Sequence, residues 1–250
     1  MSENRPFVLT IAGLDPSGGA GILADIKTFE QHKVSGFAIV TANTIQTENE
    51  FHKIEWIDIS FVIRSIEVLF QNYKISAVKI GIVPSLSYLN RILSTIKLVS
   101  PNTKIVWDPV LKSTTEFDFL SIEDLSVLNQ ILSKIDLITP NYMEIEKLLP
   151  GFIKENLWFE NEMKTAILLK GGHNLNEVGK DQLFLKNKIL DLFPTEKDCT
   201  EKHGSGCVLS SAIASNLALS QTLEMACQNA KIYIEKYLSS TSTLIGYHYV

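Results

Sequence analysis

Phe7-Val8-Leu9-Thr10-Ile11-Ala12, then Gly13-Leu14-Asp15-Pro16-Ser17-Gly18-Gly19-Ala20-Gly21, then Ile22, Ile26 and Phe29 on one helical face: this opening sets the reading of the fold. The first part is a short apolar run closed by a glycine, the pattern of a buried strand. The second is a glycine-rich loop. The third predicts a helix that runs to about His32. Asp25 falls at the edge of its apolar face, where a carboxylate is costly unless it has a partner. It is either a structural acid that holds the helix start or a group with a function.

The same alternation continues along the chain. Strands are expected at Phe37–Thr44, with Gln46 just past the end, and at Ser76–Ile80, Lys104–Trp107, Ile135–Thr139 and Thr165–Leu169. Helices are expected at Asp58–Tyr73, Leu86–Val99, Ile122–Ser133, Tyr142–Leu149, 206–219 and 222–238. Gln182–Leu185 and Ile189–Phe193 flank Lys186-Asn187-Lys188 as a hairpin would. The tail 240–250 is polar, then aromatic, and its pattern gives it no place. Strands that alternate with helices imply an α/β fold, a parallel sheet covered by helices on both faces. No linker, repeat or change of composition divides residues 1–250, so one domain is expected.

The totals exclude several classes of function. The chain has 250 residues, 45% hydrophobic and 20% charged, which suits a soluble protein with a full core. Its net charge of −5 disfavours a nucleic-acid partner. The three cysteines, Cys199, Cys207 and Cys227, form no Cys-x-x-Cys pair, and their odd number points to a reducing compartment. Met1 to Arg5 lack the regions of a signal peptide, and no apolar run approaches the roughly 20 residues that cross a bilayer. A cytoplasmic protein with no membrane partner is expected.

The second informative stretch is His203-Gly204-Ser205-Gly206-Cys207, directly before a helical pattern carried by Leu209, Ile213 and Leu217. Its glycines let successive N–H groups point one way. A helix start adds unpaired N–H groups and the positive end of the dipole. That combination makes an anion site suited to phosphate, and its field would stabilise a Cys207 thiolate. The alternative is a glycine-rich turn that happens to precede a core helix.

Ligands of such sheets bind at the carboxyl ends of the strands. There the chain carries Gly13 and Asp15, Gln46, Lys79 with Gly81, Asp108, Asn141 with Glu144, and Lys170 with Gly171 and Gly172. Lys170 and the glycines suit phosphates. Glu144 could hold magnesium through water, or could only favour the helix start. Gln46 offers a donor and an acceptor that match an aminopyrimidine edge, or it is merely solvated. Gly13–Gly19 has no Gly-Lys-Ser/Thr ending, so it is not a P-loop, and Gly19-Ala20-Gly21 is a truncated dinucleotide fingerprint. His52, His173 and His203 have no metal-ligand spacing.

Taken together, Thr10 to Gly21 with Ala24-Asp25-Ile26-Lys27-Thr28-Phe29 resembles the opening of the hydroxymethylpyrimidine and phosphomethylpyrimidine kinases of thiamine synthesis, in the ribokinase-like superfamily. Lys79-Ile80-Gly81, Asp108-Pro109-Val110, Ile138-Thr139-Pro140-Asn141 with Glu144, Lys170-Gly171-Gly172-His173 and His203 to Cys207 follow in the family's order. The resemblance implies a three-layer ribokinase-like fold, ATP with Mg²⁺, and two successive phosphorylations of the pyrimidine. It implies that Asp25 and Gln46, beside Gly13 and Asp15, contact the pyrimidine. It also implies that Gly204, Ser205 and Gly206 form the anion hole and that Cys207 is catalytic. Asn141, Glu144, Lys170, Gly171, Gly172 and Asp108 are expected to serve the nucleotide and metal side, and the resemblance implies a homodimer. Three features depart from the family: Ser205 in place of threonine, Cys199-Thr200-Glu201-Lys202 before the histidine, and Leu111-Lys112-Ser113-Thr114-Thr115 after Val110. The competing readings are a pyridoxal or pyridoxine kinase of the same superfamily, a dinucleotide-dependent oxidoreductase, and a non-catalytic binder on this fold.

Overall fold

The computed structural model describes residues 5–112, 119–120, 125–153, 164–172, 177–195 and 198–249. The expectations for Ser113 to Thr115, for His173 and for a helix start at Ile122 lie outside these residues.

The apolar runs form the strands of one sheet: β1 (Phe7–Leu14), β2 (Ser35–Gln46), β3 (Phe51–Trp56), β4 (Ile75–Ile80), β5 (Lys104–Trp107), β6 (Leu137–Ile138), β7 (Ala166–Leu169), β8 (Asp181–Leu185) and β9 (Lys188–Leu192). Their spatial order is β3-β2-β1-β4-β5-β6-β7-β8-β9. The inner strands β2, β1, β4, β5, β6 and β7 are parallel, while β3, β8 and β9 run antiparallel at the two edges. The mostly parallel sheet is as expected, and so is the β8–β9 hairpin. The β2–β3 hairpin was not expected: β2 extends through Gln46, which pairs with Phe51.

Side chains along the inner strands alternate between two apolar layers, as a sheet covered on both faces requires. Leu9, Ile11, Val78, Ile80, Ile105 and Trp107 enter one layer. Val8, Ala77 and Val106 enter the other. The first layer is closed by α2 (Ile59–Asn72), α3 (Leu86–Val99), α4 (Leu125–Leu132) and α5 (Tyr142–Leu148), through residues such as Val62, Leu89, Leu128 and Ile145. The second is closed by α1 (Gly21–Gln31), α6 (Ser205–Ala218) and α7 (Leu223–Leu238), through Phe29, Ile213 and Ala230.

Caps stop these helices where the sequence supplies them. Asp58, Ser85 and Thr222 each accept a backbone N–H at the start of α2, α3 and α7. Helix α6 departs from the amphipathic reading: residues 208–216 are all buried, Ser210, Ser211, Ser215 and Asn216 included. It lies between the sheet and α7, so no face is left for solvent. The tail now has a place. Leu244 O accepts from His203 N at 2.9 Å, and the buried Lys202 ammonium donates to Thr241 O at 2.7 Å.

Candidate active site

Two loops meet at the carboxyl end of β1. Asp15 closes the first on itself, accepting from Ser17 N at 2.9 Å, Ser17 Oγ at 2.7 Å and Ala20 N at 2.9 Å. His203 Nε2 lies 2.9 Å from Asp15 Oδ2 and joins this loop to the start of α6. Burial alone would raise the Asp15 carboxyl, but His203 and Ser17 hold it below the usual range. Gly204 caps α6 at φ 72°, where a Cβ would lie 2.1 Å from Gly19 O. Only glycine fits this left-handed, backbone-to-backbone approach. The expected anion loop is therefore a helix start seated on the first glycine loop. Asp15, 1% exposed, spends its carboxylate on holding the two loops together and presents almost no surface to an acceptor.

Asp25 departs from the expectation in the same way. It is fully buried and sits between three elements: Thr10 of β1, Lys79 of β4 and Ser211 of α6. Thr10 Oγ1 donates to Oδ2 at 2.5 Å, Ser211 Oγ to Oδ1 at 2.6 Å, and Lys79 Nζ to both oxygens at 2.9 Å. Desolvation would lower Lys79, yet the Asp25 carboxylate, with Cys207 and Asp108 nearby, raises it above the ordinary lysine range. Asp25 thus holds an ammonium beneath the start of α6 and has no free lone-pair direction for a substrate. Lys79 lies inside β4, and its partner was the missing half of the Asp25 reading. Lys79→Met would leave a buried carboxylate unpaired, so we expect a loss of about 3–5 kcal/mol in unfolding free energy. Denaturant melts of parent and variant measure this, and an unchanged midpoint would contradict the pairing.

On the other side of α6, Asp108 follows β5 and is fully buried. Thr139 Oγ1 donates to its Oδ1 at 3.0 Å and Lys170 Nζ to the same oxygen at 2.9 Å. Ser210 Oγ reaches Oδ2 only at 3.4 Å. Burial would raise this carboxyl, but Lys170 and Lys79 outweigh it and hold it low. Glu144 lies 3.7 Å from the same ammonium. Burial raises its carboxyl, with Asp108 adding to the effect and Lys170 opposing it. A Cβ on Gly206 would come within 3.2 Å of Lys170 Nζ and 3.4 Å of Asp108 Oδ2. The bare glycine lets these charges approach the first turn of α6.

Asn141 and Glu144 form a capping box on α5. Asn141 Oδ1 accepts from Met143 N and Glu144 N, each at 2.9 Å, and Asn141 N donates to Glu144 Oε2 at 2.7 Å. The structural alternative for Glu144 is therefore present in full, beside its approach to Lys170. Gly171 N donates to Asp181 Oδ1 at 2.7 Å, and Gly172 faces open space. Gln46 is half-buried at the end of β2, its Nε2 2.9 Å from Thr44 Oγ1, which in turn donates to Leu14 O at 2.8 Å. It is thereby tied to the first glycine loop.

Cys207 is half-buried in the first turn of α6, between the Asp25–Lys79 and Asp108–Lys170 pairs. The thiolate expected from the helix field is not what this environment favours. Burial pushes the thiol up to about 11, with Asp25 and Asp108 adding to the rise. Lys79 and a hydrogen bond with the Gly21 backbone offset only part of it.

Thr10, Ser210, Ser211 and Thr139 were missed as members of the site. The available signal was a polar residue inside an otherwise apolar strand or a buried helix. Among the described residues, no group of three or more His, Cys, Asp or Glu side chains converges as a metal cage. Among the described residues, no helix is long and apolar enough to cross a membrane.

A mostly parallel α/β sheet, with a glycine-capped helix start beside two buried Asp–Lys pairs at the strand ends, points to the ribokinase-like class of small-molecule kinases. Comparison with solved structures agrees. The phosphomethylpyrimidine kinase of Clostridium difficile 630 superposes with a TM-score of 0.76 at 32% identity, covering 92% of this chain and 98% of that one. An ADP complex of Bacillus subtilis pyridoxal kinase gives 0.81 at 27% identity, with 94% and 92% covered. The hydroxymethylpyrimidine/phosphomethylpyrimidine kinase of Aquifex aeolicus is 31% identical over 249 residues, 95% of this chain and 96% of the relative. The phosphomethylpyrimidine kinase family model matches residues 15–249, and the chain belongs to that family. It is a phosphotransferase, which sets aside the oxidoreductase and the non-catalytic binder.

Proposed function

We propose that this kinase transfers the γ-phosphoryl group of ATP to the hydroxymethyl group of 4-amino-5-hydroxymethyl-2-methylpyrimidine, and then a second one to the resulting monophosphate, on the way to thiamine diphosphate. The observation that carries this reading is the start of α6, fixed against the first glycine loop on one side and faced by Asp108 and Lys170 on the other. Phosphoryl transfer needs positioning and charge stabilisation above all. The N–H groups from Gly204 to Cys207 supply donors for the migrating phosphoryl oxygens, and Lys170 supplies a cation beside them. The acceptor lies between Gln46 and Cys207, next to Gly13. Asn141, Gly171 and Gly172 border the nucleotide. We place the reaction in one domain spanning 1–250, in a cytoplasmic homodimer.

The donor set fits magnesium. Asp108 and Glu144 put two carboxylates beside one ammonium, and among the described residues Asp108 Oδ2 accepts only the long contact from Ser210. Mg²⁺ is usually held by one or two carboxylates, with waters and substrate phosphates completing its shell. Bound there, it would neutralise charge on the transferred phosphoryl group.

Gln46 reads the polar edge of the pyrimidine through its amide. Gln46→Leu leaves that edge unpaired, a loss of roughly 1–3 kcal/mol that we expect mainly as a raised KM for the acceptor. An unchanged acceptor KM would refute the role. The likeness to Bacillus subtilis pyridoxal kinase supports pyridoxal as a second acceptor. A coupled assay for ADP release, with the pyrimidine alcohol, its monophosphate and pyridoxal as rivals, tests the whole reading. We expect kcat/KM to be highest for the pyrimidines. A preference for pyridoxal would overturn the assignment.

A further inference from the structure

A buried charge cluster joins Lys231 and Glu235 of α7 to Asp181 at the start of β8. Lys231 is 7% exposed, Asp181 5% and Glu235 2%. Lys231 Nζ lies 3.0 Å from Asp181 Oδ2 and 3.3 Å from Glu235 Oε1, and it donates to Gly179 O. Glu235 Oε2 accepts from Thr195 N at 2.9 Å and Thr195 Oγ1 at 2.5 Å. Asp181 Oδ1 accepts from Gly171 N at 2.7 Å. One helix thus grips the start of β8, Gly179 just before it and the chain leaving β9, and reaches the turn after β7 through Asp181.

Burying two carboxylates and an ammonium is expensive, and apolar residues of the same volume hold helices to sheets at least as well. What apolar residues cannot do is fix the direction of a backbone N–H. The Gly171 turn is clamped from both sides. Its N–H is held by Asp181, and its carbonyl accepts from Gly179 N at 3.0 Å. A Cβ there would lie only 1.8 Å from Lys180 O, so the two backbones are in contact. The residue before the turn is Lys170, whose N–H donates to Pro140 O at 2.9 Å and whose ammonium lies on Asp108. The residue after it, Gly172, faces open space.

We infer that Lys231, acting through Asp181, is a positioning residue that sets the Lys170–Gly172 turn for the ATP phosphates. This rests on the proposed assignment of that turn to the nucleotide. Asp181 fixes the Gly171 N–H, Lys231 fixes Asp181, and Glu235 anchors Lys231 on the helix. Among the described residues, the acceptor side at Gln46 and the first glycine loop makes no hydrogen bond or ion pair with Lys231, Asp181 or Glu235, so its affinity stays as it is.

The test uses the full-length protein and reads KM for ATP, KM for the pyrimidine and thermal melting in each of four variants. Lys231→Met should raise KM for ATP about 10-fold or more, since a displacement of 1 Å can cost as much as ~10²-fold. KM for the pyrimidine should change less than about twofold, and Lys231→Arg should restore most of the ATP affinity. Asp181→Asn keeps an acceptor for Gly171 N–H but loses the ion pair, and should raise KM for ATP by a smaller factor. If Lys231→Met does not fold, Asp181→Asn decides the matter alone. Lys170→Met is the control for the site itself. If it leaves KM for ATP unchanged, the nucleotide assignment fails and this inference with it. If Lys170→Met weakens ATP binding while folded Lys231→Met and Asp181→Asn do not, the inference alone is wrong. A parallel rise of both constants would show that the cluster only stabilises the fold and would also overturn it.

Discussion

Gly204→Ala will give a folded protein whose turnover falls by roughly 10²–10³, the loss that follows removal of an oriented oxyanion donor. Gly204 sits at φ 72°, and a Cβ would lie 2.1 Å from Gly19 O and 2.6 Å from Ala20 Cα. The left-handed conformation alone costs an alanine about 1–2 kcal/mol. The contacts are worse, because both are with the glycine loop that Asp15 and His203 hold in place. Relief requires the start of α6 to move away, and its N–H groups move with it. Leu98→Ala is the control: Leu98 is 83% exposed near the end of α3, outside the site, so turnover should stay close to that of the parent. Turnover with ATP and the pyrimidine, beside circular dichroism for the fold, measures both. A Gly204→Ala enzyme as fast as the parent would show that the phosphoryl group is held elsewhere.

Cys207→Ala separates two roles for the thiol. A general base contributes typically ~10²–10⁴-fold, whereas a thiol that only shapes the anion hole contributes little. The alcohol acceptor has a proton to lose, and the monophosphate acceptor is already ionised. The variant should therefore lose far more activity with the alcohol than with the monophosphate. The pH dependence follows from the raised thiol. Because burial places it at about 11, the thiolate is the minor form at neutral pH and grows as pH rises. The parent's rate with the alcohol should climb by about tenfold per unit above neutrality while this ionisation limits it, and Cys207→Ala should flatten that slope. Equal losses on both acceptors, with an unaltered pH profile, would assign Cys207 to the anion hole alone.

The opening strand, loop and helix were legible because each carries its own local signal: an apolar run, a cluster of glycines, a helical stripe. The capped starts of α2, α3 and α7 were legible for the same reason. Strand β3 was not. It lies at a sheet edge, half exposed, and Phe51 and His52 are out of step with the alternation of Lys53-Ile54-Glu55-Trp56, which leaves a strand signal of only four residues. The rim of polar residues at the strand ends could be read from the chain, and the start of α6 with Asp108, Glu144 and Lys170 is brought together there.

Pairings were not legible. Asp25 and Lys79 are 54 positions apart, and each alone looks like a stray charge. Ser210 and Ser211 read as gaps in an apolar face, yet they bind Asp108 and Asp25. The thiol shift was misjudged for a related reason. The helix field is local and visible in sequence, but the burial that outweighs it, and the nearby Asp25 and Asp108, come from distant parts of the chain. The tail gave no signal because its anchor, Leu244 O on His203 N, is a backbone contact that any residue could make.

On the proposed reading one site phosphorylates the pyrimidine twice. This is tested most directly by incubating the protein with ATP, magnesium and hydroxymethylpyrimidine and following the products by phosphorus NMR. A phosphomonoester should appear first and then be consumed as a diphosphate grows. Cys207→Ala should slow the first step more than the second. Formation of ADP with no phosphorylated pyrimidine at any time would contradict it.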